Sequence, residues 1–244
     1  MSVQYNFTGV KFLVTGAGRG IGRAIVTELH NQGAIVYALS KNPDNLASLQ
    51  KECPKIIPIY ADLSNLEQTL NAVKPIEAEY CEIADFLEIS LEQYEKQFSV
   101  NFKAAVFVSQ NVVKKMIAAG IGGSIINISS MTSQRAIKYF GIYSCTKAAL
   151  DMLTKSMALG IGVHKIRVNS LSPGTVKTDL VNYVVNQDPK EMEKQVQRFI
   201  ERTPTQTLFM PMSDIVNATL FLASNQTSQI TGQCLAVDGG YLTT

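Results

Sequence analysis

A run of glycines between an apolar strand and an amphipathic helix narrows the possible folds more than any other feature of the sequence. Residues 10–15 read Val-Lys-Phe-Leu-Val-Thr, which is typical of a buried strand, and glycines follow at positions 16, 18, 20 and 22. Helical spacing of apolar residues begins at Ile21 and continues to Leu29. Glycines permit a tight turn here, and they let the backbone approach a pyrophosphate at the helix N-terminus. The pattern therefore predicts a dinucleotide-binding unit.

The same alternation of strands and helices continues along the chain. Further strands are predicted at residues 34–39, 56–60, 124–129, 166–171 and 234–237. Helices are predicted at residues 45–51, 66–73, 91–118, 143–158 and 189–201, and Ser213 is expected to cap one more that runs through Leu222. Right-handed crossovers join such strands into a parallel sheet with helices on its faces. We therefore expect an α/β fold: a single-domain, doubly wound, Rossmann-like sheet that spans residues 1–244.

Composition excludes several classes of function. Hydrophobic residues make up 46% of the chain and charged residues 17%, and the net charge is only +2. This charge gives no reason to expect a nucleic-acid partner or an anionic membrane. No apolar run approaches the ~20 residues of a membrane span. Because only His30 and His164 are present, no metal site is expected.

The N-terminus and the cysteines indicate the compartment. Residues 1–8 are polar, so no signal peptide is expected. The four cysteines are scattered without Cys-x-x-Cys spacing, which indicates reduced thiols. The sequence therefore predicts a cytoplasmic protein.

The end of the second predicted strand bears on which dinucleotide is bound. An NAD site usually offers an acid there for the ribose hydroxyls, but no acid occurs before Asp44. Ser40 and Lys41 could instead reach a 2′-phosphate, with Arg19 approaching from the glycine loop, and each such hydrogen bond contributes about 1.5–3 kcal/mol. NADP(H) is therefore predicted over NAD(H). The alternative is that Lys41 is a solvated surface charge.

A tyrosine and a lysine one helical turn apart suggest acid–base chemistry. Residues i and i+4 share a helix face, so Tyr143 and Lys147 are predicted to lie side by side. A phenol has an ordinary pKa of about 10, and a neighbouring cation favours its anion. Ser130, upstream of Tyr143, adds a hydroxyl that could hold a carbonyl oxygen. The three residues suggest proton transfer to or from a carbonyl or alcohol oxygen.

Together these features resemble the short-chain dehydrogenase/reductase family over nearly the whole chain. The resemblance rests on the glycine loop, on the Pro-Gly-Thr-Val-Lys-Thr run at 173–178, on the Val-Asp-Gly-Gly ending at 237–240, and on Asp62, Asn101, Ser130, Tyr143 and Lys147. Residues 133–136, 149–155 and 164–169 are particularly similar to the L-xylulose/dicarbonyl reductase branch.

The resemblance implies a role for each matching residue. Tyr143 is the acid/base, Lys147 lowers the pKa of Tyr143 and binds the nicotinamide ribose, and Ser130 holds the carbonyl oxygen. Asn101 supports a water that relays protons to Lys147, or alternatively only breaks a helix. A homotetramer is implied, with the helices at 91–118 and 143–158 at its interfaces.

The expected contacts with the cofactor are spread along the chain. Val176 and Thr178 would contact the nicotinamide carboxamide, and Asp62 lies near the adenine unless it merely caps a helix. The predicted cofactor-binding residues are Gly16, Arg19, Gly20, Ile21, Gly22, Ser40, Lys41, Asp62, Leu63, Tyr143, Lys147, Pro173, Gly174, Val176 and Thr178.

The segment between Ser130 and Tyr143 is expected to line the substrate pocket. Its candidates, Met131, Ile137 and Phe140, are apolar, which favours a hydrophobic ketone, aldehyde or dicarbonyl over a polyhydroxylated sugar. The alternative is that these side chains belong to the core. Residues 181–207 are expected to form a mobile lid over the site.

The sequence departs from the family between residues 74 and 85. Family members carry an apolar fourth strand there that ends in an Asn-Asn-Ala-Gly-like turn, whereas this chain reads Lys-Pro-Ile-Glu-Ala-Glu-Tyr-Cys-Glu-Ile-Ala-Asp. Its acids suit a solvated segment better than a central strand. A shortened or missing fourth strand is therefore expected. Residues 78–84 could form a distorted strand, the sequence could derive from an alternative transcript or a faulty gene model, or the protein could be a paralogue that binds cofactor poorly.

Two functions are consistent with the sequence. The first is an NADPH-dependent carbonyl reductase, which converts a ketone, aldehyde or dicarbonyl, or L-xylulose, to an alcohol with Tyr143 as proton donor. The second is a catalytically impaired protein of the same fold that serves as a binding or assembly partner. The intact Ser130, Tyr143 and Lys147 favour the enzyme, and the departure at 74–85 favours the second reading.

Overall fold

The structure is a computed structural model that describes residues 5–60, 80–187 and 189–244. Two compact units divide the chain, Met1–Glu79 and Tyr80–Thr244. Both are built from parallel strands connected through helices, so the predicted α/β class is confirmed. Among the residues that the structure describes, no helix combines the length and apolar character that a membrane crossing requires.

The first unit is a three-stranded parallel sheet in the order β1-β2-β3. Its elements are β1 (Lys11–Thr15), α1 (Gly20–Asn31), β2 (Ile35–Ser40), α2 (Pro43–Glu52) and β3 (Ile57–Tyr60). The central strand β2 is almost continuously apolar because helices cover it, and Val36, Ala38 and Leu39 are fully buried. Because β1 and β2 run in register from Lys11 to Thr15, the turn after β1 emerges beside the end of β2.

The second unit has a parallel sheet in the order β4-β5-β6. Its strands are β4 (Gly123–Ile128), β5 (Ile166–Pro173) and β6 (Cys234–Val237). Its helices are α3 (Leu91–Phe98), α4 (Ala104–Ala118), α5 (Gly141–Ile161), α6 (Asp179–Gln187), α7 (Pro189–Arg202) and α8 (Met212–Ala223). A π-helical turn, Ser99–Lys103, joins α3 to α4. The central strand β5 is buried along almost its whole length.

Two of the predicted features differ from those observed, the helix at 91–118 and the cap at Ser213. The helix expected at 91–118 is interrupted by the π-helical turn, where one extra residue enters the helical ladder. The capping role expected of Ser213 is wrong, because Pro211 occupies the N-cap of α8 and Ser213 lies inside the helix. Residues 80–85 form no strand. The helix expected at 66–73 and the first part of the departing segment, residues 74–79, lie outside the described residues.

Candidate active site

Tyr143 and Lys147 lie one turn apart on α5, and both are buried. The Lys147 ammonium nitrogen lies 5.4 Å from the centroid of the Tyr143 ring. It also donates a hydrogen bond of 3.0 Å to the carbonyl oxygen of Ile128, the last residue of β4. Only 1% of Lys147 is exposed, so this cation is held at the carboxyl end of the strand with little access to water. A buried cation beside a phenol is the arrangement that the spacing predicted.

Ser130 lies at the same end of β4 as the lysine. The neighbouring Ser129 hydroxyl donates to the backbone carbonyl of Lys147 at 3.3 Å, which ties the strand end to α5. The Ser130 Oγ accepts hydrogen bonds from the backbone N–H and from the hydroxyl of Thr132, both at 3.2 Å. Because both of these bonds are accepted, the hydrogen of the Ser130 hydroxyl is left to point at another acceptor.

Asn101 lies in the π-helical turn and is buried. Its side-chain oxygen accepts from the Tyr80 N–H at 2.8 Å, and its side-chain nitrogen donates to the Tyr80 carbonyl at 2.8 Å and to the Thr146 hydroxyl at 3.1 Å. Both amide hydrogens and the oxygen are therefore engaged. The Asn101 side chain therefore links the backbone of Tyr80 to Thr146 of α5, the residue before Lys147. The expected water relay through Asn101 stays a prediction.

Gln97 repeats this arrangement one turn earlier along the helix. Its side-chain oxygen accepts from the Glu82 N–H at 3.5 Å, and its side-chain nitrogen donates to the Glu82 carbonyl at 3.3 Å. The backbone N–H of Ala84 then donates to the Tyr139 carbonyl at 3.1 Å. Side-chain amides and one backbone bond thus hold residues 80–84, which we call the anchored segment.

The surroundings of Tyr143 are apolar. Tyr143, Cys81 and Val184 form one buried cluster, against which Ile83, Tyr139, Phe140, Leu180 and Val185 pack. The rings of Phe140 and Tyr143 meet edge to face with their centroids 6.3 Å apart. Met131 belongs to a different buried cluster with Phe199 and Tyr241, and Ile137 packs against that cluster. Of the three expected pocket residues, the structure thus brings Phe140 to Tyr143 and groups Met131 and Ile137 elsewhere.

Sequence reasoning missed Cys81 and Ile83 as neighbours of Tyr143. The signal that could have found them is an alternation of polar and apolar residues. Tyr80 and Glu82 are the polar members, and Cys81 and Ile83 are the apolar members, two residues apart as on one face of an extended chain. The acids in this stretch instead suggested solvated chain. Leu180 and Val184 lie on α6, and Val184 belongs to residues 181–207, the segment expected to cover the site.

Polar side chains on the other face of the anchored segment form a hydrogen-bonded group. The Tyr80 hydroxyl donates to Glu82 at 2.6 Å, and Gln93 donates to the second carboxylate oxygen of Glu82 at 3.0 Å. The Tyr80 hydrogen bond holds the pKa of Glu82 below its ordinary value, although burial opposes this shift. Burial, followed by the bond to Glu82, raises the pKa of Tyr80 well above its usual range. The Lys96 ammonium lies 4.2 Å from the centroid of the Tyr80 ring.

The glycine loop of the first unit is compact enough to exclude side chains at two positions. A Cβ placed on Gly18 would lie 2.6 Å from the Ser40 hydroxyl oxygen, and one on Gly22 would overlap the Gly16 carbonyl. Gly16 and Gly20 adopt φ values of 65° and 53°, which favour glycine. No side chain caps α1, and its first turn contains no acid. The loop therefore has the close-packed backbone and the uncapped helix start that fit a pyrophosphate.

The loop is also fixed to the end of β2. Ser40 is the buried last residue of β2, and Lys41 and Arg19 are exposed at the adjoining turns. The Arg23 guanidinium donates to the carbonyls of Gly18 and Asn45 at 3.2 and 3.3 Å, and it pairs with Glu52 at 2.6 Å. Arg23 thus joins the glycine loop to α2, a role that the sequence did not suggest. Asp62 and Leu63 lie outside the described residues.

The Pro-Gly-Thr-Val-Lys-Thr run follows the central strand of the second unit. Pro173 ends β5, and the N–H of Gly174 donates to the Val237 carbonyl at 2.9 Å. Val176 is buried, and the Thr178 carbonyl accepts from the N–H groups of residues 181 and 182 as α6 begins. These residues therefore lie at the carboxyl end of a central strand, where ligands bind in open α/β sheets.

Comparison with known proteins gives the family. Residues 16–242 match a family described as enoyl-(acyl carrier protein) reductase. A short-chain type dehydrogenase/reductase from Mycobacterium ulcerans superposes with a TM-score of 0.87 at 28% identity, over 98% of this chain and 92% of that one. The chain belongs to the short-chain dehydrogenase/reductase family. It is therefore an oxidoreductase of this family, and family members use nicotinamide cofactors.

Several similar proteins are named as reductases. D-erythrulose reductase from Gallus gallus is 42% identical over an alignment of 252 positions, which covers 99% of each chain. L-xylulose reductase from Homo sapiens is 42% identical over 241 residues, 96% of each chain. Carbonyl reductase (NADPH) 2 from Sus scrofa is 41% identical over an alignment of 248 positions, which covers 98% of this chain and 99% of that one.

A solved structure with a cofactor is similarly close. It is described as an NAD(P)-dependent gluconate 5-dehydrogenase from Beutenbergia cavernae with NADP bound at low occupancy. It superposes with a TM-score of 0.87 at 30% identity, over 99% of this chain and 100% of that one.

Proposed function

We propose that the protein is an NADPH-dependent carbonyl reductase that converts a ketone, an aldehyde or a dicarbonyl to an alcohol. The observation that carries this proposal is the buried Lys147 ammonium, which lies 5.4 Å from the ring centroid of Tyr143 and is fixed by the Ile128 carbonyl. Ser130 follows two residues after Ile128, at the same strand end. Relatives named as carbonyl, L-xylulose and D-erythrulose reductases support this class of reaction.

The side chains of the second unit supply the acid and the electrostatic stabilisation. Tyr143 donates its hydroxyl proton to the carbonyl oxygen as negative charge develops there, which is general acid catalysis. Lys147 stabilises the phenolate left behind, because the Ile128 carbonyl keeps its cation close to the ring. The Ser130 hydroxyl donates a hydrogen bond to the same substrate oxygen, since its two bonds with Thr132 are accepted. A bound nicotinamide cofactor would supply the hydride.

NADP(H) is the cofactor that the residues of the first unit fit best. Gly18 and Gly22 leave no room for side chains, and the uncapped start of α1 offers backbone N–H groups to a pyrophosphate. Ser40 and Lys41 stand at the end of β2, where an NAD site carries an acid. We assign a 2′-phosphate to Ser40, Lys41 and Arg19. Binding roles for the remaining predicted residues, from Asp62 to Thr178, stay predictions.

A titration tests the cofactor and the reaction together. NADPH fluorescence is followed on addition of the protein, with NADH as the comparison, and oxidation of NADPH is then measured with diacetyl and with L-xylulose. We expect saturable binding of NADPH, weaker binding of NADH, and turnover of at least one carbonyl compound. Absence of saturable binding to either dinucleotide would instead support the non-catalytic alternative, which the intact Ser130, Tyr143 and Lys147 disfavour. A cytoplasmic location and a homotetramer stay predictions.

A further inference from the structure

We propose that Cys81 and Ile83 form a specificity wall beside Tyr143 that selects carbonyl compounds with alkyl substituents over polyhydroxylated ones. The proposal rests on the proposed reductase activity. It assigns a function to the anchored segment, residues 80–84, where the sequence departs from the family. The wall is defined by these two side chains alone.

The hydrogen bonds of the anchored segment place the wall. The N–H and C=O groups of both Tyr80 and Glu82 face side-chain amides on one helix, as alternate residues of a strand edge do. The Tyr80 hydroxyl binds the Glu82 carboxylate, so these two side chains share a face. Successive side chains in such a chain point to opposite faces. Cys81 and Ile83 therefore share the other face, which agrees with Cys81 lying in the buried cluster with Tyr143 and Ile83 packing against that cluster.

The spacing of the two amides explains why the wall is held firmly. Four residues along a helix advance about 6.0 Å, and two residues along an extended chain advance about 6.7 Å. The side-chain amides of Gln97 and Asn101 can therefore each form two hydrogen bonds with the backbone of one residue of the segment, Glu82 and Tyr80 respectively. Both amides are almost fully buried, at 1% and 3% exposed. This match lets the two amides hold an extended chain with the kind of hydrogen bonds that a sheet edge makes.

A strained residue closes the far end of the segment. Tyr139 adopts φ of 72°, an unfavourable value for a bulky side chain, and its carbonyl accepts from the Ala84 N–H at 3.1 Å. Tyr139 also packs against the cluster that contains Tyr143. Such strain persists only where the surroundings determine the backbone. The wall is therefore fixed at both ends, by amides at residues 80 and 82 and by Tyr139 at residue 84.

The chemistry of the wall indicates the substrate class. Cys81 offers a weakly polar thiol and Ile83 a branched alkyl group, neither of which is a strong hydrogen-bonding group. Leu180 and Val184 of α6 add further alkyl surface beside Tyr143. A sugar hydroxyl that moves from water to a position beside these groups loses its hydrogen bonds with water. An alkyl group in the same position is stabilised by burial. A diketone or a ketone with alkyl substituents therefore fits better than a ketose.

The test compares pentane-2,3-dione with L-xylulose in matched variants. Cys81→Ser and Ile83→Thr put hydroxyls into the wall with little change in volume, and Ile83→Val keeps it apolar. Cys53→Ser makes the same change at a buried thiol of the first unit. The measurement is the ratio of kcat/KM for the dione to kcat/KM for L-xylulose, with the Kd for NADPH and the melting temperature as checks on cofactor binding and folding.

We expect the wild-type protein to prefer the dione. Cys81→Ser and Ile83→Thr lower the ratio by about 10-fold each, the usual scale for one pocket group. Ile83→Val and Cys53→Ser leave the ratio within about twofold, and no variant changes the Kd for NADPH. If Cys81→Ser does not fold, the partly exposed Ile83 still decides the outcome.

Two results would overturn the wall while leaving the reductase intact. One is a wild-type preference for L-xylulose, and the other is a ratio that neither Ile83→Thr nor a folded Cys81→Ser moves beyond twofold. No turnover of either compound would overturn the proposed function, and this proposal with it. Turnover with an unmoved ratio overturns the wall alone, so the two failures are distinguishable.

Discussion

Replacing Asn101 by alanine is expected to destabilise the second unit through the loss of three hydrogen bonds. The bonds measure 2.8 and 2.8 Å to the Tyr80 backbone and 3.1 Å to the Thr146 hydroxyl. At about 1 kcal/mol net for each bond, the loss is about 3 kcal/mol, and a stranded backbone group adds about 1–3 kcal/mol. A total of about 4–6 kcal/mol is a large part of the roughly 5–15 kcal/mol that stabilises a typical domain.

The assay is urea unfolding of purified Asn101→Ala, with hydrogen exchange of the peptide that contains Tyr80 as a local readout. The Tyr80 amide is expected to lose protection because its acceptor is gone. Gln110→Ala is the control, since Gln110 is exposed on α4, and a change within about 0.5 kcal/mol is typical of such sites. A loss below about 1 kcal/mol for Asn101→Ala, with unchanged exchange at Tyr80, would refute the fastening role.

Three further changes test other parts of the account. Lys41→Ala is expected to weaken NADPH binding about 10-fold or more and to leave NADH binding unchanged, because one charge-assisted hydrogen bond to the 2′-phosphate is lost. Equal losses of affinity for both dinucleotides in a fluorescence titration would contradict this. Gly18→Ala places a Cβ 2.6 Å from the Ser40 hydroxyl, so overpacking of about 1–3 kcal/mol is expected in thermal unfolding, and an unchanged melting temperature would contradict the packing. Glu82→Gln is expected to lower the melting temperature at pH 7. The Tyr80 hydroxyl depresses the pKa of Glu82, so the stabilisation by the Glu82 carboxylate is lost on acidification, and the difference from the wild type shrinks below pH about 4.5. A difference in melting temperature that stays constant to pH 3.5 would contradict this role of Glu82.

The elements of the fold followed from local patterns in the sequence. The glycine loop stands between β1 and α1 as expected, and β6 has the predicted bounds, Cys234–Val237. Apolar runs and helical spacing report burial directly, so they locate elements well. The π-helical turn at Ser99–Lys103 was not predictable, because the same residues continue a helical pattern in the sequence. Tertiary bonds from Asn101 accompany the extra residue there.

The sequence predicted that Tyr143 and Lys147 lie side by side, but it did not predict the residues that surround them. Tyr143, Lys147 and Ser130 share a short stretch of chain, and helical spacing alone places the first two together. The carboxamides of Gln97 and Asn101, which are distant in sequence, hold the segment that brings Cys81 and Ile83 into the cluster around Tyr143. A pattern read along the chain cannot show which helix will donate to and accept from the backbone of an extended segment. The charges around residue 82 therefore suggested exposure where the structure has anchoring.

The most direct measurement of the central claim is NADPH oxidation by Tyr143→Phe, which removes the hydroxyl and keeps the ring. We predict that turnover of diacetyl falls about 10²–10⁴-fold, the contribution of a positioned general acid. The Kd for NADPH is expected to change less than threefold, because the glycine loop, Ser40 and Lys41 are untouched. Turnover within about tenfold of the wild-type rate, with NADPH still bound, would contradict the assignment of Tyr143 as the proton donor.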